Sequence, residues 1–484
     1  MKKYRCKICG YIHEGEMDED FVCPLCGVGK ELFEEVKESI EDSSISNAIP
    51  IDEDNPSIYR IKEKCINCGM CKNVCENEVG IKYDRTKCKN NICINCGQCI
   101  LKCPTNALIP KYDYEEVKKY ISDPKKVVVC ITSPSVRVSL GEMFGMNEGT
   151  IVEGKMVSSL KALGFDYVFD TTFGADLTIM EEASELIERV TNNGELPLIT
   201  SCCPAWVKYA EIFEPEILKN VSSCKSPISM HTAVIKEYFS LIKGIDKEDI
   251  ITVALTPCTA KKAEREKNTT TNFVITASEF GVWLKEEKID FANLKDSTYD
   301  SIFGRGSGAG LIFGNTGGVC EAALRTAYYF LTGKEPEKDL LNFKEVRGLN
   351  SLKEAEIHIN NIKLRVLVVY GLNNLLPILE KIKNGNCPYH FIEVMNCVGG
   401  CIGGGGQPKS ISNPNLSIEK RIEGLYECDE KSNIRFSYNN PNIKDIYNKL
   451  LSNPLSNKSK ELLHTTYSNK SEILSEKEHV TNNN

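Results

Sequence analysis

From about residue 122 onward, short and almost wholly apolar runs alternate with stretches of helical spacing. Val127-Val128-Val129-Cys130-Ile131 lies between Pro124 and Pro134. Tyr167-Val168-Phe169-Asp170, Ile251-Thr252-Val253-Ala254-Leu255 and Leu364-Arg365-Val366-Leu367-Val368-Val369-Tyr370 repeat that signature. Runs of this length, rich in β-branched residues, suit strands covered on both faces. Met180 to Val190 carries its apolar residues at helical spacing. Strands separated by helices imply βαβ units and parallel pairing, so this region reads as a large α/β domain with parallel or mixed sheets flanked by helices. Ile443 to His464 predicts one or two short helices; from Ser468 the Asn-, Ser-, Lys- and Glu-rich end reads as frayed.

The first 110 residues have another texture, set by cysteine rather than by apolar periodicity. Between Glu31 and Pro56, nine acidic residues face one lysine, with Ser43, Ser44 and Ser46 among them. Such a stretch buries little and reads as a solvated linker. Further on, Cys65-Ile66-Asn67-Cys68-Gly69-Met70-Cys71 returns as Cys93-Ile94-Asn95-Cys96-Gly97-Gln98-Cys99, the mark of a pseudo-symmetric module. The expected organisation is a cysteine unit over 1–36, a linker over 37–57, the repeat module over 58–120, the α/β domain over 121–467 and a flexible tail over 468–484. At roughly 150 residues per domain, a chain of 484 residues has room for these units.

A net charge of −8 and a pI of about 5.6 argue against nucleic acid or an anionic membrane surface as a partner. No run of 18 apolar residues suggests a membrane span, and no apolar run follows the basic start Met1-Lys2-Lys3, so the chain is expected in the cytoplasm. There, 23 cysteines, thirteen of them within the first 103 residues, point to metal rather than disulfides.

Cys6-x-x-Cys9 and Cys23-x-x-Cys26, each followed by glycine, supply four thiolates suited to tetrahedral iron or zinc. Lys2-Lys3-Tyr4, Gly10-Tyr11-Ile12 and Cys23-Pro24-Leu25-Cys26-Gly27 with Phe33 make this unit resemble rubredoxin, with a shortened loop between the knuckles. That resemblance implies one mononuclear iron, with zinc as the alternative. Cys65, Cys68, Cys71 and Cys75, then Cys93, Cys96, Cys99 and Cys103 before Pro104, match the bacterial two-cluster ferredoxin pattern. The match implies two [4Fe-4S] clusters with exchanged fourth ligands: Cys65, Cys68, Cys71 and Cys103 for one, Cys93, Cys96, Cys99 and Cys75 for the other. Cys88 falls outside the pattern.

Three further segments set cysteines in Pro- or Gly-rich turns: Thr200-Ser201-Cys202-Cys203-Pro204-Ala205-Trp206, Thr256-Pro257-Cys258-Thr259-Ala260-Lys261, and Glu393-Val394-Met395-Asn396-Cys397-Val398-Gly399-Gly400-Cys401 running on to Gln407-Pro408. The first two and the last follow apolar runs, and strand ends are where α/β proteins build sites. The glycine run Gly403-Gly404-Gly405-Gly406 leaves room for a bulky cofactor against backbone. Together these segments resemble the three signature motifs of iron-only ([FeFe]) hydrogenases. The likeness extends from about residue 58 to 467 and includes Thr171-Thr172-Phe173-Gly174, Phe313-Gly314-Asn315-Thr316-Gly317-Gly318 and Leu462-Leu463-His464-Thr465-Thr466-Tyr467.

The resemblance implies an enzyme interconverting protons, electrons and hydrogen at an H-cluster, a [4Fe-4S] cubane joined to a diiron subcluster with CO, cyanide and a dithiolate amine. Cys203, Cys258, Cys397 and Cys401 would bind the cubane, and Cys401 would bridge to the diiron unit. Lys261 would hydrogen-bond a cyanide, Ser133, Pro134 and Ser135 would line the opposite side, and Gln407 belongs to the cofactor-binding set. Met395 would pack over the bridging position. Cys202 would relay protons, with Glu182, Glu185 and Ser222 continuing to solvent. A ferredoxin, rubredoxin or similar carrier would exchange electrons, and H-cluster maturation proteins would load the site. Thr256, Ala205, Asn396, Val398 and Ile228 depart from the family's commonest residues and mark a divergent branch. The alternatives are a hydrogen- or redox-sensing relative and a non-catalytic iron–sulfur protein. Gly304-x-Gly306-x-x-Ala309 follows no proper strand and reads as a weak dinucleotide signal. His231, His390 and the thiols of Cys130, Cys224, Cys320, Cys387 and Cys428 lack metal-ligand spacing and read as packing residues.

Overall fold

A computed structural model describes residues 3–6, 12–18, 20–24, 28–35, 47–82, 91–410 and 414–475. Near the N-terminus, strands β1 (Lys3–Cys6), β2 (Ile12–Glu14) and β3 (Phe33–Glu35) form an antiparallel sheet in the order β2-β1-β3. Its small core holds Cys6 and Cys23 beside Phe33, so one thiol from each knuckle turns inward. Cys9, Cys26 and Cys88 lie outside the described residues.

The repeat module pairs β4 (Ile58–Arg60) with β5 (Leu108–Pro110), antiparallel. Each half turns into a short helix, Met70–Asn73 or Gln98–Lys102, through a glycine in the left-handed region, Gly69 at φ 77° and Gly97 at φ 69°. The segment expected to be a solvated linker is folded from residue 47 onward. The amide of Ile49 donates to Cys71 Sγ at 3.3 Å and that of Ala48 to Asn67 Oδ1 at 3.0 Å, and both side chains are buried. Acidic composition misleads here because a few apolar and amide groups carry the packing.

The large domain contains two four-stranded sheets. One has the order β10-β9-β6-β7, all parallel, from β6 (Val127–Thr132), β7 (Tyr167–Asp170), β9 (Ile250–Thr256) and β10 (Phe273–Thr276). The other runs β11-β12-β13-β8, from β8 (Leu198–Ile199), β11 (Leu352–Ile359), β12 (Ile362–Tyr370) and β13 (Phe391–Met395), with β11 antiparallel and the rest parallel. The expected strands appear, each extended by at most a residue or two, because continuous apolar runs are what two-sided burial demands.

The helix Thr172–Thr191 is longer at its start than the spacing predicts. Gly174 and the residues around it resemble a loop in sequence, but a Cβ at Gly174 would collide with the Pro227 carbonyl, so the glycine lets this helix press against Pro227–Val234. Its side chains enter three cores, through Ile179, Leu177 and Leu186. A helix buried on most sides can hold carboxylates at fixed positions deep in the domain. The end of the chain is also more ordered than expected. Ser468 and Lys470 are tied to Glu211, and Ile473 and Leu474 pack on Ile92 and Ile212.

A buried charge cluster joins the helix Gly318–Thr332 to the helix Pro414–Glu430. Arg325 donates to Glu321 at 2.6 Å and to Asp429 at 3.0 Å, all three fully buried. Removing one partner leaves charge without compensation in a place water cannot reach. Asp429→Ala is expected to destabilise the large domain by about 3–5 kcal/mol. The fluorescence of Trp206 and Trp283, both buried there, reports the denaturation midpoint.

Candidate active site

The expected site segments leave the carboxyl ends of strands in both sheets. Ser133-Pro134-Ser135 follows β6, Thr256 closes β9 ahead of Pro257-Cys258, Cys202-Cys203 lies just beyond β8, and Met395 closes β13 ahead of Cys397. The turns are fixed from behind. Glu393, fully buried in β13, accepts the amides of Gly317 at 2.6 Å and Cys320 at 2.8 Å. Orphan amides at the start of the helix Gly318–Thr332 are thereby satisfied by a carboxylate, which also anchors the strand carrying Met395.

Between the two strand ends lies a cavity lined by Ser133, Pro134, Ser135, Cys202, Cys258, Lys261, Met395 and Cys401, with Thr256, Ile228 and Phe313. Cys203 and Cys397 stand beside this group. Burial, followed by the charges of Cys258 and Cys203, pushes the thiols of Cys397 and Cys401 up, and burial with the charge of Cys203 raises Cys258 to about 11. Four neighbouring, largely enclosed thiols that oppose one another's ionisation fit a metal centre, because a cation is what permits them to become thiolates together. The Ser135 hydroxyl and the Thr171 hydroxyl on the cavity wall have no partner within the protein, as expected where a polar group is to be received.

Lys261 enters from the short helix after Cys258 and donates to Glu264 Oε2 at 2.8 Å and to the Cys202 carbonyl at 3.2 Å. Burial opposes its charge, but Glu264 and Cys258 hold the ammonium above the usual lysine range. A buried cation on the cavity wall suits an anionic ligand. Gln407 stands apart from the wall. Its Oε1 accepts from Ser139 Oγ at 2.7 Å and its Nε2 donates to the Ile402 carbonyl at 3.2 Å, so it braces the loops behind Ser135 and Cys401.

Glu182, one turn inward from Glu185 on the helix Thr172–Thr191, is the carboxylate nearest in charge effect to Cys202. Neither of its oxygens has a well-formed hydrogen bond, although Ser222 and the Ser201 amide are near enough to favour its charged form. Burial, then the charge of Glu185, raises it to about 8. Ser222 Oγ donates to Glu185 Oε2 at 2.8 Å, and Arg189 donates to Glu185 Oε1 at 2.7 Å at a partly exposed position. Cys202, Glu182, Ser222 and Glu185 are thus near neighbours, with Cys202 on the cavity wall and Glu185 paired to the partly exposed Arg189.

The repeat module docks directly on this site. Cys68 is influenced by Cys103, Cys71 and Cys65, and Cys96 by Cys75 and Cys93, so Cys103 lies near the first triplet and Cys75 near the second. Gln98 Nε2 donates to Cys397 Sγ at 3.1 Å and to the Gly403 carbonyl at 2.9 Å. The Asn396 amide reaches Cys397 Sγ at 3.8 Å and also lies against Cys96. Gln98 and Asn396 escape a motif search because their role appears only once the module docks. The glycine run serves protein contacts as well: a Cβ at Gly405 would strike the Cys96 carbonyl and Gly97, and one at Gly404 the Pro257 carbonyl. Gln98→Leu removes a donor to sulfur and is expected to shift the potential of the centre at Cys397 to more negative values by about 20–60 mV, read by redox titration.

The model for the C-terminal domain of the iron-only hydrogenase large subunit matches residues 126–405, more than half of the chain. The chain belongs to the iron-only hydrogenase family. Models of the iron hydrogenase small subunit, the rubredoxin-like domain of rubrerythrin and a 4Fe-4S binding domain match residues 415–470, 4–34 and 89–109. Iron hydrogenase 1 of Clostridium pasteurianum is 42% identical over 444 residues, covering 86% of this chain and 77% of that protein. The NADP-reducing hydrogenase subunit HndD of Solidesulfovibrio fructosivorans is 41% identical over 439 residues, covering 85% and 74%. A solved variant of the apo [FeFe]-hydrogenase HydA1 from Chlamydomonas reinhardtii superposes with a TM-score of 0.65 at 38% identity, covering 74% of this hydrogenase and 98% of that chain. This hydrogenase is accordingly an iron–sulfur oxidoreductase, and no helix among its described residues is long and apolar enough to cross a membrane.

Proposed function

We propose that this hydrogenase interconverts protons, electrons and molecular hydrogen at an H-cluster held by Cys203, Cys258, Cys397 and Cys401. The convergence of these cysteines on one buried region beside Lys261 carries the reading. When bound, the group supplies the diiron centre at which protons and electrons combine to hydrogen. The protein's own residues do the rest. Cys401 would hold the diiron unit as well as the cubane, Lys261 would offer an ammonium to an anionic ligand, and Ser133, Pro134, Ser135 and Met395 would close the pocket around the group. Cys202 passes a proton between the pocket and Glu182, and Ser222 and Glu185 carry it to the surface near Arg189.

Two [4Fe-4S] clusters would supply the electron path. Cys65, Cys68, Cys71 and Cys103 would hold the outer one; Cys93, Cys96, Cys99 and Cys75 would hold the inner one, on the side of Cys397. One mononuclear iron sits on Cys6, Cys9, Cys23 and Cys26, with zinc as the other occupant of such a set. A ferredoxin- or rubredoxin-type carrier in the cytoplasm exchanges the electrons, and maturation proteins load the cluster. Retention of Cys202, Lys261 and Met395 around the pocket favours this reading over a sensor or a non-catalytic iron–sulfur protein. Anaerobically matured protein is expected to evolve hydrogen from a reduced dye; loaded protein that evolves none overturns the reading.

Glu182 gives a pH signature. Its native pKa, about 8, exceeds the usual 4.5, so the folded state keeps a proton that the unfolded chain releases. Its contribution to stability is therefore complete below pH 4.5 and is lost as pH rises through about 8. A relay group titrating near neutrality can both take and give protons at working pH. Glu182→Gln is expected to lower hydrogen turnover by about 10²-fold and to remove the inflection near pH 8 from the rate profile.

A further inference from the structure

The outer half of the repeat module carries a polar neighbour that its cysteine motif does not specify. Cys65, Cys68, Cys71 and Cys103 line one cavity, and Arg60 and Thr105 share its wall. The Nε of Arg60 is shut off from solvent and finds no acceptor within the protein. A guanidinium has only donors to offer, so a buried N–H left over needs an acceptor from elsewhere. Four thiols and one unclaimed donor around a single space fit a cluster with anionic sulfur. Two restraints keep Arg60 there. In β4 it stands opposite Leu108 of β5, and the Ile61 amide donates to the Ala107 carbonyl at 2.8 Å, so the strand pair runs up to the Cys65 turn. At the other end of the side chain, Nη2 donates to the Ile49 carbonyl. The Ile49 amide donates in turn to Cys71 Sγ at 3.3 Å. One residue thus holds both the guanidinium and one of the sulfurs.

A second cation comes from the large domain. Lys409, two residues beyond Gln407, donates through Nζ to the Cys103 carbonyl and to Asn106 Oδ1, the latter at 3.2 Å. The repeat does not reproduce either cation in its other half. The matching carbonyl, that of Cys75, accepts the Ile81 amide at 2.9 Å. Five residues before the first cysteine of each motif, the sequence has Arg60 in one half and Cys88 in the other. At the inner set, Lys208 lies in charge range of Cys93, but it donates to Asn95 Oδ1 at 2.6 Å and answers the charges of Glu266 and Glu211 as well. The two halves therefore share a fold and differ in their surrounding charge.

We propose that Arg60 donates its Nε–H to sulfur of the outer cluster and, helped by Lys409, makes that cluster the more easily reduced of the two. This rests on the reading of Cys65, Cys68, Cys71 and Cys103 as a [4Fe-4S] site. Uptake of one electron there adds one unit of negative charge. A hydrogen bond to sulfur and a nearby cation both favour the more negative form, and so raise the potential. The guanidinium outweighs the ammonium because its donor is enclosed with the cysteines, where water screens it least, whereas Lys409 is exposed. Arg60 touches no reacting atom of the hydrogen chemistry. It sets where the electron rests, at the end of the module away from Cys397.

The test is a potentiometric titration of the anaerobic, full-length, loaded protein, followed by the electron paramagnetic signals of the module's two clusters, with iron and sulfide measured on the same samples. The wild type is expected to reduce the two clusters in separate steps. Arg60→Met is expected to lower the reduced-to-oxidised ratio of the upper step about tenfold at a fixed potential, a shift of about 59 mV for one electron, and to leave the lower step in place. Arg60→Lys keeps a cation but no Nε–H, and about a threefold loss is expected there, as in Lys409→Met. These two variants carry the test if Arg60→Met sheds the cluster. An upper step unmoved in every variant that keeps both clusters, or a shift confined to the lower step, overturns the proposal. Wild-type protein with iron, sulfide and signals for fewer than two clusters in the module overturns the cluster reading instead, and the proposal with it.

Discussion

Cys202→Ala is expected to lower hydrogen evolution by about 10²–10⁴-fold while the iron content and infrared spectrum of the loaded protein stay as in the wild type. The thiol lines the cavity yet is surplus to the proposed ligand set, in which Cys203 stands for that segment. Burial, followed by the charge of Glu182, holds Cys202 well above the usual thiol range, so it remains a protonated donor rather than a competing thiolate. Replacing it leaves the pocket closed but breaks the line from cavity to Glu182, and a positioned proton donor contributes on that scale. Turnover unchanged in the variant removes Cys202 from the relay and leaves the metal assignment standing.

Cys401→Ala is expected to have the larger effect: hydrogen evolution below detection, loss of infrared bands from metal-bound CO and cyanide, and unaltered electron paramagnetic signals from the two [4Fe-4S] clusters of the repeat module. Cys401 lines the cavity with Met395 and lies within charge range of Cys258, Cys203 and Lys261, and the family resemblance gives it the place that joins the two metal units. Removing it deprives both at once, whereas the clusters on Cys65–Cys103 depend on none of its contacts. Surviving CO and cyanide bands in this variant would move the bridge to another residue.

Chemistry encoded by close spacing was legible before any fold. The C-x-x-C repeats declare themselves locally, and the exchanged pairing of Cys75 and Cys103 is what the ferredoxin resemblance implies. Four of the large-domain strands, β6, β7, β9 and β12, were equally legible, because two-sided burial writes itself as unbroken apolar runs; the shorter β8, β10 and β13 and the edge strand β11 were not. What spacing cannot carry is convergence. Cys203 and Cys397 belong to turns on one sheet and Cys258 to a turn on the other, and only packing of the two sheets brings them together. Without the family resemblance the three turns would have remained three separate features.

The same reasoning explains the misses. Residues 47–57 look solvated because charge dominates their composition, although the buried Ala48, Ile49 and Asn55 settle where they lie. The tail from Ser468 looks frayed because its partner, Glu211, is more than 250 residues away in sequence. Gln98 and Asn396 resemble ordinary amides until the module brings them against Cys397. Of the departures from the family's common pattern, Thr256 and Ile228 line the cavity and Asn396 stands between two thiol clusters, while nothing in the structure explains Val398.

The most direct measurement is the infrared spectrum of the anaerobically matured, full-length protein. Thiolates of Cys203, Cys258, Cys397 and Cys401 sharing one inorganic centre with an attached diiron unit predict bands of metal-bound CO and cyanide, accompanied by hydrogen evolution. Protein fully loaded with iron, produced with the maturation machinery and showing no such bands, contradicts the account.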